Sequence, residues 1–115
     1  MNIIKTFPES ISKRELYQFI DSPDIVPVKA ALGVVIQPDA YVIYEDEQKG
    51  ETVMITAIRD ADGTVYASNS PYVRQELEKI YSIYFDPSDP NPIQVEFIEG
   101  TSKSGRTYKS IKLVF

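Results

Sequence analysis

The last 24 residues run Pro92-Ile-Gln-Val-Glu-Phe-Ile-Glu99, then Gly100-Thr-Ser-Lys-Ser-Gly-Arg106, then Thr107-Tyr-Lys-Ser-Ile-Lys-Leu-Val-Phe115. Its two flanks are rich in β-branched and aromatic residues, whereas its centre consists mostly of glycine, serine and threonine. This composition predicts a β-hairpin whose connecting loop is longer than a tight turn.

Alternation along the second arm of this hairpin separates its side chains onto two faces. One face carries Thr107, Lys109, Ile111, Leu113 and Phe115, and the other carries Arg106, Tyr108, Ser110, Lys112 and Val114. The apolar set of the first arm is Ile93, Val95 and Phe97. Because the last strand is apolar to its end, we expect it to be buried in the core, or else paired across a homodimer interface.

The charge of the hairpin differs from that of the rest of the chain. After residue 100 the basic residues are Lys103, Arg106, Lys109 and Lys112, and no acidic residue occurs there. The whole chain carries a net charge of −5, so the first hundred residues carry −9 once these four positive charges are set aside. A positive hairpin on an acidic protein indicates a function for the hairpin.

Composition limits the class of protein. A chain of 115 residues is expected to form one domain, residues 1–115, with a single core. Cysteine and histidine are both absent, which excludes disulfides, thiolate chemistry and the commonest general base and metal ligand. No apolar window long enough to span a membrane and no signal-peptide pattern is present, so a cytoplasmic protein is expected.

Two helices are predicted from their starting signals. Ser12 and Glu15 form a capping box that predicts a short helix at about residues 13–20. Ser70 as the cap and Pro71 at the first helical position predict a longer helix at about residues 71–85. Its apolar stripe would consist of Val73, Leu77, Ile80 and Tyr84.

The remaining segments favour short strands joined by turns. We expect strands at residues 25–37, interrupted by Gly33, and at 40–44, 52–59 and 64–67. An acidic loop at 45–51 and an Asp-Gly turn at 60–63 would connect them, and residues 1–9 would be an extended lead-in. The chain is therefore predicted to be mostly β with two helices, as a small antiparallel OB-like barrel or half-barrel with a helix inserted before the last hairpin.

The sequence does not indicate an enzyme. Serine nucleophiles need a neighbouring base, and the chain has no histidine to supply one. No glycine-rich phosphate loop is present, and the acidic residues cluster in turns, where they do not form a catalytic pair. The run Asp60-Ala-Asp-Gly63 is similar to the start of a calcium loop but lacks the further ligands, so a β-turn is expected. We expect no cofactor, no metal, no membrane association and no small-molecule substrate.

Binding is the function that the hairpin favours. A strand face carrying Arg106, Tyr108 and Lys112 places an aromatic ring between cations, as in surfaces that bind single-stranded nucleic acid. Lys103 in the loop would extend this surface, and the pair Arg59 and Tyr66 at the Asp-Gly turn would enlarge it further. Two alternatives stay open: lysines on an exposed strand also prevent edge-to-edge pairing, and Tyr108 could cover a barrel end.

Two runs carry a resemblance to known proteins. Residues 58–73 (Ile-Arg-Asp-Ala-Asp-Gly-Thr-Val-Tyr-Ala-Ser-Asn-Ser-Pro-Tyr-Val) lead into Leu77-Glu-Lys-Ile80, and residues 99–108 contain Lys-Ser-Gly-Arg-Thr-Tyr. Together they resemble small single-stranded-DNA-binding proteins carried by phages and mobile elements of Gram-positive bacteria. The resemblance covers roughly the C-terminal half.

The resemblance implies an OB-like fold and an accessory role in DNA replication or recombination. Among the matching positions it points to Lys103, Arg106 and Tyr108 on the hairpin and to Tyr66 before the helix. Many cellular single-strand binders recruit partners through a flexible acidic tail, which is not expected of a chain that ends in a strand. The rival hypothesis is an acidic protein-interaction or inhibitor module that presents Glu45, Asp46, Glu47 and Glu51 and does not bind nucleic acid.

Overall fold

Eight strands and two helices make up the protein in a computed structural model that describes residues 1–114. Phe115, which was expected on the buried side of the last strand, lies outside the described residues. The helices are α1 (Lys13–Ile20) and α2 (Pro71–Tyr84). The strands are β1 (Asn2–Phe7), β2 (Val26–Pro27), β3 (Val35–Ile36), β4 (Pro38–Gln48), β5 (Glu51–Asp60), β6 (Val65–Ser68), β7 (Gln94–Thr101) and β8 (Thr107–Val114).

The strands form two sheets that are joined by a bend in the chain between β3 and β4. The larger sheet has the order β1-β4-β5-β6-β2 and the smaller has the order β3-β7-β8, and only the β2–β6 pairing is parallel. Gln37 alone separates β3 from β4, and it is held by hydrogen bonds from its own N–H to the Asp60 carboxylate (3.0 Å) and from the Ala61 N–H to its carbonyl (2.9 Å). The predicted mostly β half-barrel is confirmed, and the barrel does not close.

The two faces of the larger sheet bury two separate apolar clusters. Alternation along β4 sends Tyr41 and Ile43 to one face and Val42 and Tyr44 to the other. The first cluster also contains residues of the smaller sheet and α2, which are Val73, Leu77, Ile80, Val95, Phe97 and Ile111. Leu113 packs against this cluster, as expected for the last strand. The second cluster lies under α1, whose Phe19 is fully buried.

Helix α1 begins with the predicted capping box. The Ser12 hydroxyl accepts a hydrogen bond from the Glu15 N–H at 3.1 Å, and the Glu15 carboxylate accepts one from the Ser12 N–H at 3.4 Å. The helix spans the predicted residues. The pKa of Glu15 is lowered, first by the hydrogen bond from the Arg59 side chain and then by the Ser12 N–H.

Helix α2 has the predicted bounds, but the residues Ser70 and Tyr84 at its two ends differ from their predicted roles. Pro71 occupies the first turn as expected, but the Ser70 side chain makes no capping hydrogen bond. Its hydroxyl instead donates to the Lys109 carbonyl at 2.6 Å, so it joins the helix to the last hairpin. Tyr84 was predicted to belong to the buried stripe but is 52% exposed. The neighbouring Tyr81 is the aromatic residue that packs inward, against Phe7, Tyr41 and Phe85.

The predicted strand at residues 25–37 is wrong in its continuity. Residues 26–27 pair with β6, a 3-10 helix follows at Val28–Ala30, and Gly33 turns the chain with a φ of 87° before β3. Pro27 has no N–H with which to continue a ladder. The inward-facing Val28 and Ala31 then anchor the segment in the core.

Two segments that were not predicted as strands are paired in the larger sheet. The lead-in forms β1, which pairs with β4 from Asn2 opposite Glu45 to Phe7 opposite Tyr41. The acidic loop is shorter than predicted, since β4 and β5 pair as far as Gln48 opposite Glu51. Only Lys49 and Gly50 remain as the turn, both with positive φ, which is the geometry that suits a two-residue hairpin turn.

The Asp60–Gly63 segment is the predicted turn, closed by a hydrogen bond from the Gly63 N–H to the Asp60 carbonyl at 2.8 Å.

No helix in residues 1–114 is long and apolar enough to cross a membrane.

Candidate nucleic-acid interface

The register of the β7–β8 hairpin determines which side chains can act together. Tyr108 lies opposite Gly100, Lys109 lies opposite Glu99, and Lys112 lies opposite Glu96. Directly opposed residues point to the same face of a sheet. Because side chains alternate along a strand, Lys112 points to the same face as Tyr108, as predicted. It lies four residues away, or roughly 13 Å along the strand.

Two of the four cations of the hairpin have acidic partners. The Lys109 Nζ lies 2.6 Å from the Glu99 carboxylate, and the Lys112 Nζ lies 3.7 Å from the Glu96 carboxylate. These glutamates belong to the first arm, so the positive charge counted after residue 100 is partly neutralised across the hairpin. This pairing depends on the register and not on the local sequence.

The other two cations lie at the tip of the hairpin. Residues 102–106 form its turn, closed by hydrogen bonds from the Ser102 N–H to the Arg106 carbonyl (2.8 Å) and from the Gly105 N–H to the Ser102 carbonyl (2.9 Å). Lys103 and Arg106 are both exposed. Neither forms an ion pair with any residue between 1 and 114, so the tip offers two accessible positive charges.

An aromatic pair lies next to this tip. The rings of Tyr108 and Tyr72 have centroids 4.2 Å apart and planes inclined by 31°. Tyr108 is half-buried because its ring lies over Gly100, where an added Cβ would come within 2.5 Å of it. Tyr72, in the first turn of α2, packs against the Tyr108 ring and is itself 43% exposed. The accessible aromatic surface is therefore mainly that of Tyr72.

Two adjacent surface depressions form what we call the groove. The larger, of about 470 Å³, includes Lys29, Gln48 and Ile55 in its lining. The smaller, of about 330 Å³, includes Tyr72, Thr107 and Tyr108. Both depressions are also lined by Ser68, Asn69 and Lys109, so they meet along the end of β6 and the start of β8.

The arrangement of the groove suits an extended polyanion that carries aromatic groups. Lys29 is exposed at one end, Lys109 lies at the junction, and the tyrosine pair lies at the other end beside the cationic tip. The groove extends from Gln48, beside the β4–β5 turn, to Thr107 and Tyr108, beside the β7–β8 turn.

The structure does not bring Arg59 to this groove. Its guanidinium donates hydrogen bonds to Asp39 at 2.8 Å and to Glu15 at 3.1 Å, and it lies 5.4 Å from the centre of the Phe19 ring. Burial lowers the pKa of Arg59, but the hydrogen bonds to Asp39 and Glu15 outweigh this effect and leave the pKa raised. The structure therefore places Arg59, which was predicted as a site residue, outside the groove, with its charge paired to Glu15 of α1 and to Asp39 at the start of β4.

Tyr66 is also placed elsewhere than expected. It is buried in the first cluster, where its ring centroid lies 5.0 Å from that of Phe97. Burial raises the pKa of its hydroxyl. A ring buried in the core cannot stack on a base, so Tyr66 is a core residue and does not line the groove. Of the six predicted site residues, the structure groups Lys103, Arg106 and Tyr108, and Lys112 lies farther along the same strand.

Sequence reasoning missed Lys29, Tyr72 and Lys109 as residues of the groove. Tyr72 had one local signal, which is that it directly follows Pro71. A helix start marked by proline fixes the position of the next side chain in the first turn. Lys29 and Lys109 had no local signal. They meet in the groove only because the 3-10 helix, the end of β6 and the start of β8, which are distant in sequence, lie side by side in the fold.

No group of three or more acidic side chains in the described part of the chain converges in a way that could hold a metal ion.

Comparisons with models of protein families, with curated proteins and with solved structures find no match to this chain.

Proposed function

We propose that the protein binds single-stranded DNA with little sequence preference, along the groove from Lys29 past Lys109 to the Tyr72–Tyr108 pair. The single observation that carries this proposal is the meeting of the two depressions at Lys109, with the accessible aromatic ring of Tyr72 at one end. Cations track the phosphates of a single strand, and an aromatic ring stacks on a base of any identity.

Little sequence preference is expected because the contacts assigned to the groove are stacking and phosphate pairing. The larger depression is lined by the small side chains of Ala67 and Ser68 and by the amides of Gln48 and Asn69. Stacking and phosphate contacts tolerate every base, whereas sequence selection needs hydrogen bonds to base edges. The proposed setting is the cytoplasm, as an accessory to DNA replication or recombination, which also agrees with the resemblance described above.

The role of each residue follows from its place. Tyr72 is assigned to base stacking because its ring is exposed, and Tyr108 supports that ring from beneath. Lys103 and Arg106 hold phosphates at the tip, where no acidic partner among residues 1–114 competes for them. Lys112 is set apart from these two cations by its acidic partner Glu96 and by its distance along the strand from Tyr108, so it marks the boundary of the site.

Titration of a short fluorescent oligothymidine at several salt concentrations tests the proposal. We expect Tyr72→Ala to weaken binding by about 1–3 kcal/mol, the value of one stacked base, with little change in salt dependence. Lys103→Ala and Arg106→Ala should each lower the slope of log affinity against log salt by about 0.7, since each removes one phosphate contact. Lys112→Ala should change the slope much less.

Matched controls separate the site from the general surface. Tyr17, an exposed tyrosine on α1, is the control for Tyr72, and Lys79, an exposed lysine on α2, is the control for the tip cations. If Tyr17→Ala weakens binding as much as Tyr72→Ala, the groove is not the site. If the wild type does not bind at low salt, the rival function becomes the better explanation, a protein-interaction or inhibitor module that presents the acidic end of the β4–β5 hairpin.

A further inference from the structure

Lys109 occupies an unusual position within the groove. It lines both depressions and stands where they meet, and its side chain is 27% exposed. It is nonetheless not free, because its ammonium lies 2.6 Å from the Glu99 carboxylate. The cation at the centre of the groove is therefore already neutralised in the unliganded protein.

The pair lies at the boundary between the core and the groove. On this face of the hairpin Val95 lies opposite Leu113, and Phe97 lies opposite Ile111 in the buried cluster. The next pair along the same face is Glu99 and Lys109, whose side chains emerge from the core at the groove. Glu99 is 43% exposed, so its carboxylate can swing into water without unfolding any element.

We propose that the Glu99 carboxylate holds, on the ammonium of Lys109, the place that a DNA phosphate takes when a single strand binds. Carboxylate and phosphate oxygens are equivalent acceptors for the short, charge-assisted hydrogen bonds that an ammonium donates. Glu99 is thus a positioning residue that keeps the Lys109 side chain directed along the groove and is exchanged for phosphate on binding. This inference rests on the proposed function and names its central phosphate subsite.

The exchange is energetically undemanding. An exposed ion pair changes an equilibrium constant by a factor of about 1.5 to 5. A phosphate that also contacts other cations of the groove can replace a carboxylate held this weakly. The second pair of the hairpin, Glu96 with Lys112, does not provide such a subsite, because neither residue lines the groove.

Glu99→Gln tests the exchange, with Glu96→Gln as the matched control. Glutamine keeps the size of the side chain but removes its negative charge, so Lys109 is left available to phosphate. We expect Glu99→Gln to bind a short oligothymidine about 1.5- to 5-fold more tightly than the wild type at low salt. Glu96→Gln should bind as the wild type does. Thermal unfolding of each variant checks that the fold is intact.

A double-mutant cycle separates exchange at Lys109 from general repulsion of DNA by Glu99. In a Lys109→Met background, which keeps the aliphatic stem, the gain from Glu99→Gln should disappear. If that gain persists in the Lys109→Met background, or if Glu99→Gln gains nothing while the wild type binds, the exchange is wrong and the proposed function stands. If neither the wild type nor any variant binds, the proposed function itself fails.

Discussion

Gly100 is the residue on which the tyrosine pair depends. It lies opposite Tyr108 on the neighbouring strand, and an added Cβ would approach the Tyr108 ring to 2.5–2.7 Å. Glycine is unfavourable in the middle of a strand because it gains no packing from a side chain, and in such a place it often marks a close approach. Here the approaching group is the ring that supports Tyr72.

At the same scale we predict the effect of Gly100→Ala. The methyl group must displace the Tyr108 ring, and overpacking of this kind costs about 1–3 kcal/mol of the free energy of unfolding. Urea denaturation measures the loss. In a Tyr108→Ala background the same substitution meets no ring, so its cost should vanish or become a slight gain. An equal cost in both backgrounds would contradict the close approach.

At the scale of elements, Ser70 connects α2 to the last hairpin, although its position in the sequence predicts a helix cap. Ser70 stands at the helix start, where a hydroxyl usually accepts a hydrogen bond from a backbone N–H. In the structure it donates to the Lys109 carbonyl instead. This bond fixes the helix start, and with it Tyr72, beside the strand that carries Tyr108 and Lys109.

Substitutions at Ser70 distinguish these two roles. Ser70→Ala should lower the free energy of unfolding by about 1 kcal/mol, the usual value of one hydrogen bond. Ser70→Asp is a good helix cap but cannot donate to a carbonyl, so we expect it to be no more stable than Ser70→Ala. Ser70→Thr retains the donor and should recover much of the loss. Thermal denaturation compares the three, and a stabilising aspartate would show that capping is the dominant role.

At the scale of the whole molecule, the cations of the groove and the hairpin tip are a local concentration of positive charge on an acidic protein. All 17 acidic side chains lie in the first hundred residues, and the net charge of the chain is −5. A net negative charge opposes the approach of any nucleic acid, and it opposes the higher charge density of a duplex more strongly. Stacking on Tyr72 also requires an unpaired base.

The prediction at this scale concerns competition between single strands and duplexes. With a labelled oligothymidine bound, an unlabelled single strand should displace the label at a much lower concentration than a duplex of the same length. Fluorescence anisotropy at one fixed salt concentration measures both competitors, because affinities at different salt concentrations are not comparable. Equal competition by the duplex would contradict a site built around base stacking.

The features of the fold that depend only on neighbouring residues can be predicted from the sequence. The capping box at Ser12 and Glu15, the helix start at Pro71, the turn at Gly63 and the β7–β8 hairpin each follow from signals within a few residues, and all are present. The mostly β half-barrel followed from the order of these elements. Local signals suffice here because caps, turns and alternation satisfy backbone hydrogen bonds within the segment that contains them.

Tertiary structure alone decided which charged and aromatic side chains remain available. Arg59 is occupied by Asp39 and Glu15, which lie 20 and 44 positions away, and Tyr66 is buried against Phe97. Tyr72 reaches Tyr108 only because α2 packs beside β8. Ion pairing, stacking and burial act over a few ångströms in space irrespective of distance along the chain. Sequence periodicity can therefore place a residue on a face, but only the packing of distant segments determines what that face meets.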